Sequence, residues 1–363
     1  MWGPQSSAVL VLGIVLAVAA VGGTLVAWSR VRGPAALRVL QRVGLVLLCQ
    51  LTAVGVVGVT INRLDGFFAT WTDVAGILRD VGGAVPTVTA SPQVHTAGAV
   101  STHPATAADA TRGPFTWSGG LWRAHAHGAA SGITGDVLVW TPPGYDPHRA
   151  GGYRVLLALS GYPGTPVTTI NGLDLPAAVT SRVADGRLPA TIVVTASTNL
   201  DGRNWDCADV PGGPRVTTWL THDVAQLVGQ SFDVAPGRWT TIGVSTGAYC
   251  AVRLAVTEPA DVGAAIALSG DDAADSPALA GRLAHANDLR TLVAEGATPP
   301  VSLFVGASRQ DGTTAADAEA LRAAAGHGIT TTVHVRDVGG HVWPVWAAMA
   351  AGGLDWLGTH EPG

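Results

Sequence analysis

The sequence contains no lysine: all 21 of its basic residues are arginine. Alongside abundant Ala and Gly, that absence reads as a trace of genome composition and assigns no chemistry. Charge is scarce, at 13% of 363 residues, while 47% are hydrophobic, a balance that excludes a disordered or nucleic-acid-coating polymer and provides for a packed core. There is no basic run outside the N-terminal part, so a phosphate backbone meets nothing that would neutralise it, and nucleic acid is excluded as a partner. The sequence also lacks H-E-x-x-H and comparable ligand clusters, which leaves no metal or other cofactor indicated. No internal repeat is visible.

Charge is also unevenly placed. Residues 1–62 hold Arg30, Arg32, Arg38 and Arg42 and no acid, so they carry +4 and the remaining 301 residues carry −9, for a net −5. Residues 8–28 are uncharged, and about 21 residues at 1.5 Å rise match a hydrocarbon core of roughly 30 Å. Residues 43–61 form a second uncharged stretch, so two spans make a hairpin. The arginine-bearing connection, 29–42, belongs on the cytoplasmic side, and both ends then face out of the cell. A cleaved signal peptide is the competing reading of the first stretch, but residues 1–7 lack a basic side chain and a second span follows. Residues 62–78 mix Phe67, Phe68, Trp71 and Ile77 with Arg63, Asp65 and Asp73, as expected at a lipid–water boundary. The expected organisation is a transmembrane hairpin with an interfacial segment over 1–82, a flexible Ala/Thr/Pro-rich linker over 83–113, and a folded domain over 114–363 in the cell membrane's outer space.

Within that domain short apolar runs alternate with helical patterns. Strands are predicted over 136–140, 153–159, 191–195, 239–244, 263–268, 301–305 and 330–338, and helices over 173–185, 216–231, 247–257, 317–326 and 344–357. Runs such as ATIVVTA (190–196) lose the alternation of a half-exposed strand, as parallel strands covered on both faces do. The predicted class is α/β, with a mostly parallel central sheet.

Residues 239–251, WTTIGVSTGAYCA, place Gly243-Val244-Ser245-Thr246-Gly247 between a strand and a helix, the context of a nucleophile elbow. A serine hydroxyl is a weak nucleophile at neutral pH and needs a base, and the base needs an orienting acid. In such a sheet the order is Ser, acid, His. His341, in VGGHVWPVW after the last predicted strand, is the candidate base, with Trp343 and Trp346 placed to wall it from water. Asp311, in the loop of SLFVGASRQDGT, is the leading candidate acid; Asp317 and Glu319 in the following helical segment are its rivals. Oxyanion donors are expected from the Thr246 N–H and, in LALSGYPGT, from the Tyr162 N–H, since Pro163 has none. His125 and His127 alternate on one strand face without a third ligand and read as a surface pair.

These motifs, together with TPPGYDP (141–147), TTWLTHDV (217–224) and ALSGDD (267–272), make residues 131–346 similar to the esterase family of α/β-hydrolases that includes S-formylglutathione hydrolases, feruloyl esterases and mycolyltransferases; membrane-anchored members with a G-Y-P-G-T loop are typical of actinobacteria. The resemblance implies an α/β-hydrolase fold, Ser245, Asp311 and His341 as triad, and Tyr162 and Thr246 as oxyanion donors. Two positions depart from it: Ser160 stands where relatives commonly have His, and Gly247-Ala248 where many have two glycines. If the likeness holds, the loop around Cys207 lies near the helix carrying Cys250, and an oxidising location favours their disulfide over two free thiols.

The expectation is therefore a membrane-anchored extracytoplasmic serine hydrolase, acting on a small-molecule, lipid or carbohydrate ester through an acyl-enzyme on Ser245, as an esterase or acyltransferase. The alternative is a non-catalytic envelope protein that keeps the scaffold to bind a glycan or lipid.

Overall fold

In the computed structural model, residues 6–65 and 111–360 are described, together with Pro4 and Trp71. Most of the expected interfacial segment and linker lies outside these residues. The chain divides into two compact units, one of Met1–Pro86 with Arg309–Gly312 and Asp337–Val342, the other of Thr87–Ser308, Thr313–Arg336 and Trp343–Gly363.

The first unit contains α1 (Ser7–Trp28) and α2 (Ala35–Asp65), both long and apolar enough to cross a membrane. The Ser6 hydroxyl caps α1 by accepting from the Val9 N–H. Thr24 Oγ1 lies 3.2 Å from Cys49 Sγ, a polar contact between the two helices. The turn between them is shorter than the 29–42 expected. Nothing after Pro34 breaks a helix, so α2 starts at Ala35 and carries Arg38 and Arg42 in its first turns, with the Arg42 guanidinium 5.0 Å from the Trp28 ring centre.

The second unit is built on a ten-stranded sheet in the order β1-β2-β3-β4-β6-β5-β7-β8-β9-β10. The first four, β1 (Thr111–Arg112), β2 (Phe115–Ser118), β3 (Leu121–His127) and β4 (Thr134–Trp140), pair antiparallel, and β4 joins β6 antiparallel. From there β6 (Thr191–Ala196), β5 (Arg154–Leu159), β7 (Trp239–Val244), β8 (Val262–Leu268), β9 (Val301–Ser308) and β10 (Ile329–Arg336) run parallel. Every residue of β6 and β8 is buried, which is why their sequences carry no polar alternation. β3 is half-exposed and alternates.

Helices cover the parallel part: α3 (Pro166–Gly172), α4 (Leu175–Ala184), a turn Val216–Thr218 running through the π-helical Trp219–Val224 into α5 (Ala225–Ser231), α6 (Thr246–Thr257), α7 (Leu289–Glu295), α8 (Thr314–Ala324) and α9 (Trp343–Leu357). The chain goes outward from β5 to β6 in one direction and from β7 to β10 in the other. The order reverses between β5 and β7, and in open α/β sheets ligands bind outside the strands' carboxyl ends at such a reversal.

Candidate active site

β5 and β7 pair in register up to Leu159 and Gly243, so the turn after β5 and the elbow after β7 leave the sheet side by side. Ser245 sits between β7 and α6 at φ 56°, ψ −127°, a backbone region that L-residues seldom occupy. Its N–H donates to the Leu268 carbonyl at 3.0 Å, which pins the elbow to the end of β8. The helix can begin there only because residue 247 is glycine: a Cβ would collide with the Leu159 carbonyl oxygen.

The turn after β5 comes equally close. A Cβ on Gly161 would lie 3.2 Å from Ser245 Cβ and 3.8 Å from Ser245 Oγ. The Tyr162 N–H donates to Thr246 Oγ1 at 2.8 Å, and the Tyr162 hydroxyl donates to the Gly202 carbonyl at 2.9 Å. Asn199, just beyond β6, donates from Nδ2 to the carbonyls of Gly161 (3.0 Å) and Gly164 (2.8 Å). The buried Ser160 donates to the Thr165 carbonyl at 2.6 Å. Asn199 was not legible as a site residue. It belongs to no motif, and its partners are 38 and 35 positions away.

Asp311 follows β9 and His341 follows β10. His341 Nδ1 lies 3.0 Å and 3.2 Å from the two Asp311 oxygens, and Asp311 is only 2% exposed. The two loops are joined again by the Gly339 N–H, which donates to Gln310 Oε1 at 3.1 Å, and by the Arg309–Asp337 ion pair at 3.2 Å. Of the rival acids, Glu319 is exposed and pairs with Arg322, while Asp317 lies in the first turn of α8. Trp343 and Trp346 meet edge to face, centroids 4.9 Å apart, and the Trp343 ring packs so tightly on Gly172 that a Cβ there has no room.

Cys207 and Cys250 are brought together, with Cα atoms 5.4 Å apart and a 2.23 Å S–S separation. Around them, burial raises the Asp206 carboxyl above its ordinary value, against the pull of the Ser276 N–H and Asn204. Burial likewise raises the Tyr249 hydroxyl, which donates to the Asn287 carbonyl. Asp272, after β8, is raised by burial and by Asp317, with Arg290 opposing. His125 and His127 are exposed and bond to Asp136 (2.7 Å) and Thr134 (3.0 Å) on the neighbouring strand.

A mostly parallel sheet with a serine elbow at its reversal point defines an α/β-hydrolase fold. Residues 132–357 match the family described as "Putative esterase", and the chain belongs to that family. Over 141 residues it is 30% identical to an uncharacterized protein of Corynebacterium glutamicum, covering 38% of this chain and 33% of that protein's length. The same fold occurs in a ferulic acid esterase (TM-score 0.56, 20% identity, 66% of this chain and 97% of the other). It also occurs in an S-formylglutathione hydrolase from Agrobacterium tumefaciens (TM-score 0.56, 19% identity, 68% and 98%). A third instance is the fluorophosphonate-binding serine hydrolase FphF of Staphylococcus aureus (TM-score 0.51, 15% identity, 68% and 99%).

Proposed function

We propose that this protein is a membrane-anchored, extracytoplasmic serine esterase or acyltransferase in which Ser245, His341 and Asp311 work as a triad. The observation that carries the reading is the buried Asp311 carboxylate on His341 Nδ1, which fixes the tautomer and leaves Nε2 to serve as base. Ser245, on its strained turn, is the nucleophile. Its Oγ bonds to an ester carbonyl carbon, its proton passes to His341 Nε2, and the carbonyl π pair moves onto oxygen. That oxyanion faces the N–H groups of Thr246 and Tyr162, with the start of α6 adding its positive end. Collapse breaks the bond to the alcohol oxygen, which takes the proton from His341, and an acyl-Ser245 remains. Water or a carbohydrate hydroxyl then attacks, giving its proton to His341, and Ser245 leaves by recovering it.

The apolar lengths of α1 and α2 and the arginines at their connection support an anchor with the catalytic unit outside the membrane. A Cys207–Cys250 disulfide belongs with that oxidising side. An anchor of this kind favours a lipid-linked or cell-envelope ester as substrate.

A fluorophosphonate probe on the detergent-solubilised full chain tests the reading. The expected result is covalent labelling of wild type, lost in Ser245→Ala. A folded wild type that takes no label and cleaves no ester overturns it and favours a glycan- or lipid-binding protein on the same scaffold.

A further inference from the structure

Of the two backbone donors expected for an oxyanion, one already has a partner within the site. The Tyr162 N–H donates to the side-chain oxygen of Thr246 at 2.8 Å. Thr246 therefore holds its hydroxyl within hydrogen-bond reach of the donor meant for a substrate's carbonyl oxygen. That hydroxyl acts there as an acceptor, and a hydroxyl that accepts one hydrogen bond keeps its own proton to give. The same residue follows the nucleophile directly and begins α6, so its main-chain N–H is one of the helix's unpaired first donors. The contact is not a loose surface encounter. The Gly161 backbone, next to Tyr162, is in close approach to Ser245, and Asn199 ties the turn down from its other side.

We propose that the Thr246 hydroxyl is a third oxyanion donor: it accepts from the Tyr162 N–H and donates its proton to the substrate's carbonyl oxygen as charge builds there. Accepting from an N–H polarises the hydroxyl and strengthens what it gives, so Tyr162 acts in part through it. The proposal rests on Ser245 being the nucleophile, and goes beyond it by giving a side chain, and not only main-chain groups, to the oxyanion.

The test compares Thr246→Val, which keeps the shape and loses the hydroxyl, with Thr246→Ser, which keeps the hydroxyl and loses the methyl. The readouts are steady-state hydrolysis of p-nitrophenyl esters by the full chain in detergent, and inhibition by an alkyl trifluoromethyl ketone, whose carbonyl carbon bonds to Ser245 Oγ and whose oxygen becomes an oxyanion. Thr246→Val is expected to lower kcat/KM about 10- to 100-fold, mostly in kcat, given that a lost oxyanion donor costs about 10²–10³-fold. The ketone's inhibition constant should rise by the same factor. Thr246→Ser should stay within about 3-fold of wild type, because its donor remains. Ester hydrolysis by Thr246→Val as fast as wild type, or faster, overturns the proposal and makes the hydroxyl a mere occupant of the Tyr162 N–H. Equal losses in both variants also overturn it and point to packing by the methyl group. In both cases the wild type is active, so the triad reading survives; an inactive wild type removes both.

Discussion

Strain at Ser245, the proposed nucleophile, gives the sharpest prediction, because it can be measured without any substrate. At φ 56° and ψ −127° the Ser245 Cβ is crowded by its own backbone, a conformation that costs a non-glycine residue about 1–3 kcal/mol. The elbow cannot relax easily, since the Ser245 N–H is held by the Leu268 carbonyl and residue 247 abuts the Leu159 carbonyl. Ser245→Ala keeps the Cβ and so keeps the strain. Ser245→Gly releases it, against about 0.5–1 kcal/mol for the greater freedom that glycine gives the unfolded chain. The net expectation is that the glycine variant is more stable than the alanine variant by about 0.5–2 kcal/mol. For a domain of this size that is a Tm higher by about 1–8 °C. Both variants lack the Ser245 hydroxyl, so tryptophan-fluorescence melts of the full chain in detergent compare them on stability alone. A glycine variant that melts with or below the alanine variant would refute the claim that this turn stores strain.

Two further outcomes test the loops and the crosslink. Asp311→Asn should fold and lower kcat by about 10²–10⁴-fold, since an amide can hold His341 in the wrong tautomer, whereas Asp317→Asn and Glu319→Gln should leave kcat near wild type; ester hydrolysis assays on the three variants check this. Replacing Cys207 and Cys250 by serine opens a crosslink between positions 43 residues apart, and chain entropy alone puts the loss at ~4 kcal/mol, or about 8–16 °C in Tm, so melts with and without reductant should separate in wild type and coincide in the double variant.

How far the fold could be read from the sequence depended on how local the deciding forces are. β7 has the predicted bounds, and β8 and β9 were found with one to three residues missing at their ends, because buried parallel strands announce themselves as continuous apolar runs. The helix expected over 173–185 is α4 (Leu175–Ala184), and α3 ahead of it went unpredicted, the two being separated at Asp174. That residue takes a left-handed backbone (φ 46°) between α3 and the Pro176 that opens α4, a choice made by packing and invisible to periodicity. β1 and β2 went unpredicted as strands because they are short and lie at the sheet's antiparallel edge, whereas β3 was read as a strand only through the alternation of His125 and His127; β1 lies inside the stretch read as linker. The last strand stops at Arg336, two residues early, and Val338 is exposed. Of the proposed site, Ser245, Asp311 and His341 could be nominated from sequence because each follows a strand end and the proposed chemistry demands that residue type there. Asn199 and the Thr246 side chain were not, because what they do depends on contacts between loops far apart in sequence.

Those two side chains act on one peptide unit. The Gly161 carbonyl and the Tyr162 N–H belong to the same planar group, so they point in opposite directions and cannot turn independently. Asn199 Nδ2 holds the carbonyl end at 3.0 Å and Thr246 Oγ1 holds the N–H end at 2.8 Å. A donor meant to stabilise developing charge must already point the right way, because turning it during the reaction would consume the energy it supplies. Here the orientation is set from both ends before any ester arrives, and Ser160 and Thr165 brace the residues on either side through a 2.6 Å bond. The departure from His to Ser at position 160 then has a physical consequence. The Ser160 hydroxyl, only 3% exposed, accepts from Thr169 Oγ1 of α3 at 3.2 Å, so it ties the turn to that helix.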